Sequence, residues 1–258
     1  MFLCNKIQFT DYFFYTFDII NQKQIQMKFY TCYAFLLLLI IACNNQNQKP
    51  KVIYDAVKTT VKNNPVVEDE VEISDLPVQI DGTRYILHPV GSIRVGVEGK
   101  KYGGNSYVLS NYNRFELTGN FSNLKFQHQD STSFKTLTDK NIAIQNVTYL
   151  NAVAKSITKQ FLVYTLEDLD SNKDGKLDDN DIKDLYISNA NGSNFIKLSA
   201  DLQEVIDWKL IESQNRLYFR SVEDNNKNGA FDKEDKVHYY YVNLTNKELK
   251  VDEYNPIN

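Results

Sequence analysis

The chain has 258 residues, 42 % hydrophobic and 24 % charged, with 17 Tyr and 15 Phe against ten Gly and five Pro. That balance fits a folded soluble class with a sizeable core, in one domain or at most two, and argues against disorder. A formal charge of −4 without any Lys/Arg block excludes nucleic acid as a partner.

The chain contains two methionines, Met1 and Met27. Met27 opens "MKFYTCYAFLLLLIIACNNQ", with the positive Lys28, an apolar run from Tyr33 to Ala42, and then Cys43. A charged start, an apolar middle and a small residue before the cut are the layout of a secretory signal. The run is shorter than the roughly 20 residues that span a bilayer. Ile40-Ile41-Ala42-Cys43 resembles a bacterial lipobox, which implies that Cys43 is lipidated and becomes the mature N-terminus. Asn44 stands where an inner-membrane retention signal has Asp, so the expected home is the outer membrane of a bacterial envelope. Residues 1–26 then read as upstream sequence from a misplaced start, 27–42 as the signal peptide, and 43–75 as tether and lead-in. Cys4, Cys32 and Cys43 are the only cysteines, so the domain beyond them has no disulfide, Cys-zinc site or thiol chemistry. Removing Asp11 and Asp18 from 33 acidic residues, and Lys6, Lys23 and Lys28 from 29 basic ones, leaves 31 against 26, a mature charge of −5.

Residues 76–258 hold short runs bounded by turn residues: "TRYILHPV", "SYVLS", "RFELTG", "LKFQHQ", "IQNVTYL", "QFLVYTLE", "DLYISNA", "FIKLS", "VIDWKLI", "RLYFRSV", "HYYYVNL" and "ELKVDE". Runs of this length and spacing predict an antiparallel all-β domain. "YLNAVAKSITKQ" is the one stretch with room for a helical turn.

The domain repeats itself. "LKFQHQDSTSFKTLT" (Leu124 to Thr138) aligns without a gap on "LYISNANGSNFIKLS" (Leu185 to Ser199), 61 positions later. "IQNVTYL" matches "VIDWKLI". "FLVYTLED", an acidic loop and "DLYISN" match "LYFRSVED", a second acidic loop and "HYYYVN", about 54 positions on. Each unit reads as four strands, with the acidic loop joining the second to the third in the last two units. Such a unit resembles a β-propeller blade. "DLYISNANGSNFIKLS" is similar to the strand–turn–strand segment of the propeller repeats in the Tol-Pal periplasmic protein and related envelope proteins. About three units are visible, whereas closed propellers have four to eight blades. The expected fold is therefore an incomplete propeller-like stack, with a two-sheet β-sandwich as the alternative. The whole layout resembles a lipoprotein family of the Bacteroidota, a resemblance that implies no particular activity.

The acidic loops, 168–182 and 223–236, carry the clearest chemistry. A calcium loop needs oxygen ligands at positions 1, 3, 5, 7, 9 and 12, the seventh through a backbone carbonyl, with Gly at position 6. One loop supplies Asp170, Asn172, Asp174, Gly175, Lys176, Asp178 and Asp181 in that register; the other supplies Asp224, Asn226, Asn228, Gly229, Ala230, Asp232 and Asp235. Position 8 is apolar in both, Leu177 and Phe231. An Asn/Asp/Gly hairpin explains one such loop. Two in one register, at equivalent points of a repeat, point to two calcium sites. Strands rather than helices flank them, and position 12 is Asp rather than Glu, which predicts weak affinity, roughly 10⁻⁴ to 10⁻³ M, and a structural role.

Other patterns carry less. "GVEGKKYGG" (Gly96 to Gly104) lacks the Lys-Ser/Thr of a phosphate loop and reads as hairpin turns. His88, His128 and His238 are isolated and read as structural, and Trp208 reads as an interior anchor. "GNSYV" around Ser106 lacks the closing Gly of a nucleophile elbow. Asp130-Ser131-Thr132 reads as a plain turn. The expected protein is a membrane-anchored binding or scaffold module with an undefined protein or glycan partner, and not an enzyme. The alternative is a carbohydrate-active hydrolase whose site only the fold assembles.

Overall fold

The computed structural model describes residues 50–54, 70–94 and 109–257. The signal segment, Cys43 and the Gly96 to Gly104 stretch lie outside the described residues.

Fifteen strands form three antiparallel sheets, so the fold is all-β. The first sheet has the order β1 (Glu70–Ser74), β3 (Tyr85–Arg94), β6 (Asn123–His128) and β7 (Phe134–Thr136), with β2 (Val78–Gln79) also paired to β3. The third is a simple meander of β12 (Gln203–Ile211), β13 (Arg216–Glu223), β14 (Lys236–Asn243) and β15 (Val251–Tyr254). Between them in sequence lies the meander β8 (Ala143–Tyr149), β9 (Phe161–Glu167), β10 (Asp184–Asn189) and β11 (Ile196–Lys197). A hairpin of β4 (Ser110–Asn113) and β5 (Glu116–Phe121) extends this second sheet through β5 and β8. Each sheet thus contains one four-stranded meander. In the first, the link between its second and third strands is the excursion that carries β4 and β5, where the other two have acidic loops. Among the described residues no sheet closes on itself.

The alternation of apolar residues explains the layering. In β9, Leu162, Tyr164 and Leu166 enter one core with Leu87, Leu124 and Phe126 of the first sheet. Phe161 and Val163 enter a second core with Val205, Leu217, Phe219 and Val242 of the third sheet. Both faces of β9 and β10 are therefore buried, and their sequences, "FLVYTLE" and "DLYISN", are almost continuously apolar. The middle layer is lined on both faces and the outer sheets on one. The stretch with room for a helical turn forms the one α-helix among the described residues, α1 (Asn151–Ile157), closed by Thr158 in the left-handed region.

The repeat is visible in the pairing. Asp184 lies opposite Leu166, and His238 opposite Ser221. This register shifts the gapless alignment of "FLVYTLED" on "LYFRSVED" by one residue. Structurally, Asp168 corresponds to Glu223 and Glu167 to Val222. The residues between β9 and the first loop absorb the difference.

The lead-in holds more order than its composition suggests. β1 lies within it, and residues 50–54 pack on the domain. Val52 is buried, and its neighbours hydrogen-bond to both acidic loops.

Candidate metal loops

Both acidic loops join adjacent strands of one meander, β9 to β10 and β13 to β14. Their internal hydrogen bonds repeat position by position. In the first loop Asp170 accepts from the N–H groups of Asp174 (3.2 Å) and Gly175 (3.0 Å), Asn172 from Asp174 (2.9 Å), and Asp174 from Lys176 (2.9 Å). In the second, Asp224 accepts from Asn228 (3.2 Å) and Gly229 (2.7 Å), Asn226 from Asn228 (2.9 Å), and Asn228 from Ala230 (2.7 Å). The closing acids agree as well. Asp181 accepts from Ser171 and Asp178, and Asp235 accepts from Asn225 and Asp232. Position 4 is left-handed in both, at Lys173 (φ 56°) and Lys227 (φ 57°), and so is the glycine at position 6, Gly175 (φ 84°) and Gly229 (φ 83°). Asx side chains that bond forward to the backbone, with Gly where the chain must turn left, explain this local shape.

The side chains at positions 1, 3, 5, 9 and 12 and the carbonyls of Lys176 and Ala230 are all oxygen donors, a set suited to a hard divalent cation. Among the described residues no three Asp, Glu, His or Cys side chains are drawn together at metal-holding distances. The carboxylates instead point at backbone N–H groups.

The segment from Pro50 to Tyr54 bridges the loops. The N–H groups of Lys51 (2.6 Å) and Val52 (3.2 Å) donate to the Gly229 carbonyl, and that of Ile53 (3.0 Å) donates to the Ser171 carbonyl. Ser171 Oγ donates to the Lys51 carbonyl at 2.7 Å. Lys51 Nζ pairs with Glu204 Oε1 at 2.7 Å. Burial pushes the Tyr54 hydroxyl up to about 12, helped by its hydrogen bond to Asp224. As a result, the acids nearest this strap, Asp181 and Asp224, are the buried ones of their loops. Burial also raises Asp181 above the usual carboxylate range, against the opposing backbone N–H bonds.

A second charged cluster braces the middle sheet. Lys197 Nζ lies 2.9 Å from Asp184, 3.3 Å from Asp168 and 3.1 Å from Asp201. Ser199 Oγ donates to Asp184 at 2.6 Å, and Tyr186 OH donates to Asp168 at 2.5 Å. Burial and the neighbouring Asp168 push Asp184 up to about 7. Burial raises Asp168 too, but its bonds from Asp184, Tyr186 and Lys197 outweigh that and hold it below its ordinary value. The two carboxyls share one proton, held on Asp184. Diverging carboxylates of this kind serve acid and base roles in some enzymes. Here Asp184 is only 2 % exposed, and neither acid lines a cavity of appreciable size. The cluster ties β10 and β11 to the end of β9.

The remaining candidates stay apart. His88 and His128 lie in the first sheet, bonded to Gln127 and to the Asp130 N–H. His238 lies in the third, its ring nitrogens 2.9 Å from Glu223 and Glu253. Trp208 packs against the second core. Sequence reasoning did not single out Lys51, Tyr54, Glu167, Asp168, Asp184 or Lys197. The buried acids left one trace, namely carboxylates inside strand-like apolar runs.

Among protein-family models, curated proteins and solved structures, none matches this chain.

Proposed function

We propose that the chain is a lipid-anchored lipoprotein of a bacterial envelope, tethered through Cys43 to the outer membrane. Its β domain serves as a binding or scaffold module stiffened by two calcium loops. On this reading the stacked meanders are propeller-like blades that stop short of closure, although a three-layered sandwich describes the same packing. The observation that carries the reading is the position-by-position agreement of the two loops, in hydrogen bonds and in left-handed residues, at equivalent joints. Coincidental hairpins have no reason to agree so closely. Calcium would link the strand before each loop to the strand after it and relieve the mutual repulsion of the acids. The role is structural, and no catalytic chemistry is assigned to it.

Calorimetric titration of calcium into the chelator-treated chain tests this, together with melting in calcium and in chelator. Two binding events and a rise in melting temperature are expected. An identical melting temperature in both buffers, with no heat of binding, would reject the calcium loops. Intact mass of membrane-extracted protein tests the anchor separately, since residues 27–42 still attached without lipid would reject it.

A further inference from the structure

Glu167 ends β9, three residues before the first calcium-loop ligand, and is 1 % exposed. Its Oε1 accepts from Gln145 Nε2 at 2.6 Å, and Gln145 sits in the bulge between Ile144 and Asn146 of β8. Its Oε2 is the one buried side-chain oxygen or nitrogen without a partner among the described residues. Leaving such a group unmet costs about 1–3 kcal/mol, so it calls for an explanation.

The fold itself does not need a carboxyl here. The pairing register makes Val222 the structural counterpart of Glu167 in the third sheet, and Val222 is likewise buried. The repeat therefore accommodates an apolar residue at this position.

Glu167 lines a cavity of about 510 Å³ at the loop end of the sheets, with Lys51, Gln145, Asp178, Lys183 and Glu204. A cavity of that volume lies within the range of small-molecule sites. The only apolar side chain on its wall is that of Ala143, so it offers neither a greasy anchor nor an aromatic platform. Lys51 and Glu204 neutralise one another at 2.7 Å. The Lys183 backbone N–H also bonds to Glu204 (2.8 Å), but the Lys183 ammonium makes no ion pair among the described residues. One wall thus presents an unmet carboxyl and an unmet ammonium. Burial pushes the Glu167 carboxyl up to about 8, with Glu204 and Asp181 adding to that and Lys51 opposing it. The negative surroundings favour a cationic donor over a neutral one.

We propose that this cavity binds a small zwitterion of the α-amino-acid class, its ammonium paired with Glu167 and its carboxylate with Lys183. This site is separate from the cation loops and does not depend on them being filled.

The test is calorimetric titration of the purified chain, in chelator, with L-alanine, ethylamine and acetate as probes. L-alanine should bind at least ten-fold more tightly than either singly charged probe. Glu167→Val, which installs the counterpart residue, and Lys183→Met should each weaken L-alanine binding at least ten-fold, while the Glu167→Val chain melts no lower than wild type. Glu167→Gln provides the same test if the valine variant fails to fold. Absence of heat with every probe would overturn the proposal and leave an ordered water as the partner of Oε2. Equal affinity of wild type and the Glu167 variants would overturn it too.

Discussion

At the scale of single residues, the two loop glycines form a matched pair with different surroundings. Gly175 and Gly229 share a left-handed φ, but a Cβ on Gly175 would meet nothing within 4 Å. On Gly229 it would lie 2.4 Å from the Val52 carbonyl oxygen and 2.7 Å from Pro50 Cβ. Gly175→Ala should therefore cost only the conformational penalty, about 1 kcal/mol, whereas Gly229→Ala should cost more and expel the strap. Chemical denaturation of the two variants measures the difference, and equal losses would show that the strap contributes nothing there. Asp184 gives a pH test. Its folded pKa is raised to about 7 from the ordinary 3.8, so between those values the folded chain binds the extra proton. Its contribution to stability is present at low pH and fades as pH rises toward 7. Replacing it, as Asp184→Asn, should flatten the stability profile over that window, and an unchanged slope would refute the shared proton. None of this was legible in the sequence, because Asp168, Asp184 and Lys197 meet across three strands and look like ordinary charges along the chain.

Elements separate what was legible from what was not. Each loop was readable because its pattern is contiguous, with ligand-type residues at alternate positions and a glycine at the sixth. The strap was not, because its contacts reach from Lys51 to Ser171 and Gly229 and leave no periodic mark on "KVIYD". The loops also differ in charge. The first carries Asp170, Asp174, Asp178 and Asp181, and the second carries Asp224, Asp232 and Asp235 with Asn228 in place of an acid. Ligand charge tunes calcium affinity, so the first loop should bind more tightly. Calcium at about 100 times the dissociation constant would add roughly 2.7 kcal/mol per site. Asp170→Ala should therefore lose more of the calcium-induced rise in melting temperature than Asp224→Ala, and the reverse order would overturn the ranking.

Across the whole molecule, strand positions were legible from alternation and turn residues, and the near-continuous apolar runs of β9 and β10 mark the central layer. Which sheet each strand joins was less readable. The β4–β5 hairpin leaves the meander that surrounds it in sequence and pairs with β8, a choice set by packing rather than by local pattern. Because the second sheet contributes to both cores, the cores should unfold together. Trp208, the single tryptophan, reports on the third sheet. Its fluorescence and far-ultraviolet dichroism should give one coincident denaturation curve. Two separated transitions would show that the layers are independent.

The strap also decides where a mechanical load enters. Pulled from its N-terminal side, the chain meets the hydrogen bonds of Lys51, Val52 and Ile53 before it reaches β1, the first strand. Tension at that end is therefore borne by the turns of the two acidic loops before any sheet is stressed. The strap then works as a fuse, whose rupture lengthens the leash while the cores stay intact.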